Sequence, residues 1–186
     1  MLYRPVLETA DPAHILRATH PDDAPALHAL ANDPANNAFL ARYERWAQGF
    51  TQEEAQVQTA RVSGHMLLGG TTLMQYLAWH QGPEDAAERL TGCHTLYDRL
   101  GASAFMGYWQ VPASCGKGLA TLGAQRLLAY AQEVWDLNEV ILRIADDNER
   151  SQAMARRLGA QRTGTIMTVE ERGHTDLMRV WKIFLP

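Results

Sequence analysis

Cysteine is scarce in this 186-residue chain: only Cys93 and Cys115 occur, at a spacing that suits neither a zinc site nor a disulfide framework. No stretch approaches the ~18 consecutive apolar residues that mark a membrane-spanning helix. The opening Met1-Leu2-Tyr3-Arg4-Pro5 lacks the apolar core of a secretory leader, so the expected compartment is the cytoplasm. A positive charge balance is missing too. The formal charge of −4 argues against nonspecific binding to nucleic acid or to an anionic membrane. Internal repeats and low-complexity segments are absent. What remains is a chain of ordinary hydrophobic and charged content, long enough for one core and short for two, so a single domain over residues 1–186 is expected.

Its pattern alternates strands and helices. Residues 14–19 read as a strand, and Pro21-Asp22-Asp23 opens a helix with apolar positions Ala24, Leu27, Leu30 and Ala31. Residues 33–50 show no clean period and carry Phe39, Tyr43, Trp46 and Phe50, too many aromatics for a simple linker. Thr51 and Glu54 form a capping box for a helix reaching about Ser63 or a little beyond. Residues 71–81 read as a strand broken by Gly82-Pro83-Glu84-Asp85. Two further strands, at 89–97 and 102–110, complete a three-stranded antiparallel meander joined through residues 98–101. Thereafter the period changes. Leu119, Leu122, Ala124, Leu127, Leu128, Ala131 and Val134 line one face of a helix ending near Asp136. A short strand at 140–144, a helix at 151–158 stopped by Gly159, and a hairpin from 163–168 and 177–184 finish a mixed α/β chain.

Between the last meander strand and the long helix stands Cys115-Gly116-Lys117-Gly118-Leu119-Ala120. A glycine turn that opens a helix aims backbone N–H groups at one point, where the helix dipole adds roughly half a positive charge. A phosphate or pyrophosphate is the natural guest. Neither common phosphate fingerprint fits. Gly118 is followed by Leu119 rather than the hydroxyl of a P-loop, and Thr121 stands where a dinucleotide fold needs its third glycine. Alone, the Gly-x-Gly pair reads equally as a tight turn.

The flanking residues resemble the GNAT acyltransferases, in particular their RimJ/RimL-like branch of ribosomal-protein N-acetyltransferases. Met106-Gly107-Tyr108-Trp109-Gln110-Val111-Pro112 is similar to that branch's Gly-Tyr-Trp strand, Asn148-Glu149-Arg150-Ser151 to its Asn-x-x-Ser element, and Leu158-Gly159-Ala160 to its Leu-Gly-Phe element. Gly118 and Ala120 match the last two positions of the family's Arg/Gln-x-x-Gly-x-Gly/Ala turn. The likeness runs from about residue 14 to the C-terminus. It implies the GNAT fold, a central mostly antiparallel splayed sheet flanked by helices. It further implies acetyl-CoA as co-substrate without metal, with the pyrophosphate on residues Cys115, Gly116, Lys117, Gly118, Leu119 and Ala120. Where the strands at Trp109 and Val140 splay apart, unpaired backbone groups would bind the pantetheine arm, and Trp109 and Val111 are assigned that role through their main chains. Their side chains read as core.

Amide formation needs a deprotonated amine, donors for the oxyanion and an acid for the thiolate. The resemblance puts Ser151 at the acid, and Asn148 at the pantetheine or as an orienter of the loop; both also fit simple helix capping. The tyrosine that other branches use four residues later is Ala155 here. The glutamate that the branch carries two residues before its strand glycine is Phe105. Base candidates by position are Glu170, Glu171, His174, Asp176 and His94. Leaving an α-amine to lose its own proton costs about 1.4 kcal/mol at pH 7, against about 4.6 kcal/mol for a lysine, so a missing base favours N-terminal α-amines or weakly basic small amines.

Cys115 replaces the family's Arg or Gln, which loosens the pyrophosphate grip; as a thiol at a helix N-terminus it also fits a rival reading as a nucleophile. Phe39, Tyr43 and Trp46 are candidates for the acceptor groove, though packing or a dimer contact would use them as well. The expected protein is a monomer or homodimer with acetyl-CoA and a protein N-terminus or small amine as partners, and with no nucleic acid or membrane. The alternative is a noncatalytic acyl-CoA-binding module of the same fold.

Overall fold

The computed structural model describes residues 4–82 and 87–186. The predicted break at Gly82-Pro83-Glu84-Asp85 falls, beyond Gly82, outside the described residues, as does the Met1-Leu2-Tyr3 part of the leader reading.

Eight strands form one sheet. In chain order they are β1 (Val6–Glu8), β2 (His14–Ala18), β3 (Leu73–His80), β4 (Arg89–Leu100), β5 (Ser103–Gln110), β6 (Glu139–Ala145), β7 (Gln161–Glu171) and β8 (His174–Phe184), lying side by side as β1-β2-β3-β4-β5-β6-β8-β7. Every neighbouring pair is antiparallel except β5 and β6. The short strand predicted at 140–144 is present as β6: Val140, Leu142 and Ile144 are buried and the residues between them half-buried, so one face of the strand meets the core.

Helices α1 (Ala24–Asn32), α2 (Pro34–Leu40), α3 (Gln52–Leu67), α4 (Leu119–Trp135) and α5 (Glu149–Arg157) cover the two faces. Ala124, Leu127, Leu128 and Ala131 of α4 and Met154 and Ala155 of α5 join Met74, Leu96, Met106 and Leu142 of the strands in the main core. On the opposite face, Ala24, Leu27, Phe50 and Ala55 gather around Trp46, Leu90 and Trp109. The capping box is present, with Thr51 N–H donating to Glu54 Oε2 over 2.8 Å and Glu54 N–H to Thr51 Oγ1 over 3.1 Å.

Four sequence expectations are corrected. Residues 33–50 contain α2: Asp33 caps it by accepting from the N–H groups of Ala35 and Asn36 at 3.0 and 3.1 Å, and Pro34 fits the first helical position. Its seven residues are too few to register a period. Val134 is 48% exposed, and Trp135 takes its place on the buried stripe of α4, one turn beyond Ala131. β1, three residues long, escaped notice for the same reason of length. The closing hairpin is longer than predicted on both arms. Arg172 (φ 48°) and Gly173 (φ 76°) give its two-residue turn the pair of positive φ values that a type I′ turn requires.

Candidate active site

β5 and β6 pair over only four positions, from Ser103↔Glu139 to Met106↔Leu142. Beyond them β5 continues to Gln110 and β6 to Ala145, opening the predicted splay. The register corrects which main-chain groups face it. Val111 N–H donates to Thr91 O at 2.9 Å, and Cys93 pairs with Trp109. By the two-residue alternation of an antiparallel ladder, the main chains of Trp109 and Val111 are turned to β4, and those of Tyr108 and Gln110 to the gap. The main-chain groups that face the gap therefore have the opposite parity to the one expected from the sequence. The Trp109 and Val111 side chains are packed, Trp109 against Trp46 at a ring distance of 5.5 Å.

A short 3-10 turn, Pro112–Ser114, leads from β5 into the glycine turn. Gly116 (φ 76°) and Gly118 (φ 77°) are both left-handed, and Gly118 is the N-cap of α4. A Cβ at either would meet nothing within 4 Å, so backbone angle rather than crowding calls for glycine. The first-turn N–H groups of a helix have no intrahelical acceptor, so those beginning at Leu119 and Ala120 open onto the turn. Leu119 turns its side chain into the core, whereas Lys117 is exposed. The turn has the backbone, the dipole and the room for a pyrophosphate.

At the other end of the splay, Asn148 caps α5 by accepting from Ser151 N–H at 3.1 Å. Ser151 is thereby placed in the first turn with its hydroxyl uncommitted to capping. That Oγ lies 2.7 Å from Tyr108 Oη, which also reaches Ser151 O at 3.2 Å. Burial pushes the Tyr108 phenol up to about 12, so it stays a proton donor. Tyr108 was quoted in the sequence only as part of a strand motif, and its hydroxyl is the partner that reading missed.

Comparison with known proteins decides the family. A family model described as an acetyltransferase (GNAT) domain matches residues 14–161. The chain belongs to the GNAT acetyltransferase family. YdaF of Bacillus subtilis (strain 168), to which a ribosomal N-acetyltransferase role is ascribed, is 38% identical over 66 residues, 36% of this chain and 36% of that protein. Among solved structures, RimL, a ribosomal L7/L12 α-N-protein acetyltransferase in complex with coenzyme A, superposes with a TM-score of 0.80 at 24% identity over 97% of this chain and 98% of that one. A microcin self-immunity acetyltransferase in complex with acetyl-CoA and AMP gives a TM-score of 0.80 at 16% identity, covering 94% of each chain. These structural likenesses, below 25% identity, establish the GNAT fold.

Within this GNAT domain the nucleophile reading of Cys115 fails. Its thiol is raised by burial and donates to Val111 O at 3.5 Å, the opposite of an activated thiolate. The base candidates separate as well. His94 lies on the face under α4, so close that a Cβ on Gly123 would stand 2.4 Å from its Nε2. Burial, with His14 adding, holds it neutral at a value of about 3, with its ring 6.4 Å from that of Tyr108, so it has no charge-bearing form to offer near pH 7. Asp176 accepts two hydrogen bonds from Arg45, at 3.0 and 2.8 Å, and is held below the usual carboxylate range. Glu170 and His174 are exposed near the hairpin tip, Glu171 is half-buried there, and Phe105 stacks on Tyr97 beneath Arg143.

Phe39, Tyr43 and Trp46 reach over the splay from α2 and the segment behind it. Phe39 packs under the Arg150 guanidinium at 5.1 Å, Tyr43 Oη donates to Asp147 O at 3.1 Å, and Trp46 bridges Trp109 and Phe50. Trp46 and Phe50 also line a cleft of about 590 Å³ with Glu53, Val57, Arg61 and Glu171. Between Tyr43 and Trp46 stands a carboxylate that sequence reasoning passed over. Glu44 accepts from Trp46 Nε1 at 2.9 Å, and burial raises it to about 8, with Glu171 adding to the shift. Glu44-x-Trp46 inside an aromatic segment was the signal. Among the described residues, no group of three His, Cys, Asp or Glu is arranged to hold a metal ion, and no helix is long and apolar enough to cross a membrane.

Proposed function

We propose that this protein transfers an acetyl group from acetyl-CoA to a primary amine, with a protein N-terminal α-amine as the favoured acceptor, by direct attack within a ternary complex. The observation that carries the proposal is the splay itself, which has an anion cradle at Gly116–Ala120 on one side and the Tyr108–Ser151 pair on the other. The cradle would hold the pyrophosphate. The main-chain groups of Tyr108 and Gln110 would meet the pantetheine amides, which brings the thioester toward Ser151. With Tyr108 donating to Ser151 Oγ, the serine O–H is left to protonate the departing thiolate, and Tyr108 supports the alkoxide character that develops. Nothing in this scheme needs Cys115 as a nucleophile.

The acceptor follows from proton cost. An α-amine is about one-tenth neutral at pH 7, whereas a lysine must be deprotonated at a cost greater by about 3 kcal/mol. The relatives named for ribosomal-protein acetylation support the same acceptor class. A noncatalytic acyl-CoA-binding module would need no hydroxyl pair at the thioester end, and the presence of one favours the enzyme. A single cytoplasmic domain is the setting proposed for this activity. Acetyl-CoA-dependent thiol release, followed over a panel of N-terminal peptides and small amines, tests the reading. Turnover with α-amines ahead of lysine side chains is expected, and binding without turnover on any acceptor would replace it with the module.

A further inference from the structure

The base left unassigned by Phe105 has a structural replacement on another element. Residues 42–46 form a strap across the splay, fixed at both ends. On the β6 side, Tyr43 Oη donates to Asp147 O at 3.1 Å and Arg42 to the Asp147 carboxylate at 3.2 Å, four residues before Ser151. Farther out on that same side, the Arg45 guanidinium grips Asp176 of β8, the strand beyond β6, with two hydrogen bonds, and the β5 end of the strap is the Trp46 ring against Trp109. Tyr43 and Arg45 therefore act as outward anchors, and the residue between them is the carboxylate of the strap. Its acceptor oxygen is oriented by Trp46 Nε1 at 2.9 Å, and the Trp46 ring rests on Trp109, next to Tyr108 on β5.

We propose that Glu44 is the catalytic base of the transfer, taking the proton from the acceptor's ammonium as the amine enters beneath the strap. This rests on the acetyltransferase reading above. The amine gives one proton to the Glu44 carboxylate, and its freed electron pair forms the C–N bond to the thioester carbon. The C–S bond breaks as Ser151 protonates the sulfur, and the second amine proton returns to the serine. Glu44 then releases its proton to solvent.

The charged and titratable groups around Glu44 suit this role. Glu171 approaches from β7, and Cys93, Tyr97 and Tyr108 from β4 and β5; burial raises all three of the latter, so each is neutral at pH 7. The two cations on its own strap, Arg42 and Arg45, are committed to Asp147 and Asp176. Glu171 thus supplies negative charge toward an incoming ammonium, and Glu44 joins it as a carboxylate as the pH rises toward 8. The raised carboxyl, near 8, matches the basicity of an α-amine, the condition for efficient proton transfer.

Glu44→Gln is the decisive variant because its side-chain oxygen still accepts from Trp46, so the strap keeps its hydrogen bond while losing its proton acceptor. The kcat/KM for the amine should fall by about 10²-fold at pH 9, with acetyl-CoA Kd unchanged within about twofold. The wild-type pH profile should show a rising limb near 8 that stays in place when two acceptors of different amine pKa are compared, and that limb should vanish in the variant. Glu44→Asp should keep the limb at reduced rate. Retention of the limb and of activity within about threefold in Glu44→Gln would overturn the assignment while leaving the transferase intact. So would loss of acetyl-CoA binding together with activity, which marks a structural role. If the wild type turns over no acceptor, the transferase reading fails first and this inference falls with it.

Discussion

Tyr108 Oη and Ser151 Oγ stand 2.7 Å apart, tying the strand before the glycine turn to the first turn of α5 across the mouth of the splay. Two side chains from opposite arms of a fork thus share a hydrogen bond at the place proposed for the thioester. Neither is a simple cap, since Asn148 fills that role.

Removing either hydroxyl should slow turnover without releasing acetyl-CoA. Ser151→Ala is expected to lower kcat by about 10²-fold and Tyr108→Phe by about 10-fold, with the double variant no worse than Ser151→Ala because the two act through one proton path. Steady-state thiol release and calorimetric titration with acetyl-CoA separate the two quantities. A Ser151→Ala enzyme within a few-fold of wild type removes the serine from the chemistry.

Gly118 holds φ at 77° where a Cβ would meet no neighbour, so an alanine there is strained without being blocked. Gly118→Ala should cost about 1 kcal/mol of folding stability and weaken acetyl-CoA binding by several-fold, because the turn relaxes and its N–H groups diverge. Thermal unfolding with and without acetyl-CoA reads both effects.

At Cys115 the expected change is a gain. Cys115→Arg should tighten CoA by about 3- to 10-fold through a charge-assisted bond that the thiol cannot supply, and the gain should shrink in high salt. In the wild type the raised thiol predicts slow alkylation at pH 8 relative to a free cysteine peptide, measured by mass spectrometry.

Acid should destabilise the fold through the buried histidines. His14 and His94 are both lowered from 6.5, so the unfolded chain takes up protons before the folded one as pH falls. Their contribution is complete above about 6.5 and is lost progressively toward the folded value of His94, about 3, with a slope of at most about 1.4 kcal/mol per pH unit for each. Glu44 works in the other direction. Its folded value, about 8, lies above the ordinary 4.5, so its contribution is full below about 4.5 and is lost progressively as pH rises from there to about 8, and Glu44→Gln should remove that decline from the stability profile. Denaturant unfolding between pH 4 and 9 checks both signs.

The periodic parts of this fold were legible because burial writes itself into spacing. The short strand at 140–144, the α4 stripe and the Thr51–Glu54 box all appear where their pattern puts them. The glycine turn was legible for a different reason, since left-handed backbone leaves few residue choices. Parity was not legible at the splay. Whether Trp109 or Tyr108 turns its main chain to the gap depends on the hydrogen-bond register with β4, which one strand's sequence does not encode. Glu44 was missed because its environment is assembled from β4, β5 and β7, three strands remote in sequence, while the acids on the hairpin were adjacent to a recognisable element.

Gly123 gives α4 its seat directly on the His94 ring, with no side chain interposed. The cradle at the head of that helix and the hydroxyl pair beyond β5 are therefore held at a set gauge, much as a jig holds work of fixed length. The guest proposed here has a pantetheine arm of constant reach, so the spacing of its two holding points decides where its acyl carbon comes to rest. A bulkier residue at Gly123 would leave both ends of the jig intact and lengthen the distance between them. The resulting enzyme would still grip its thioester and would present it out of register.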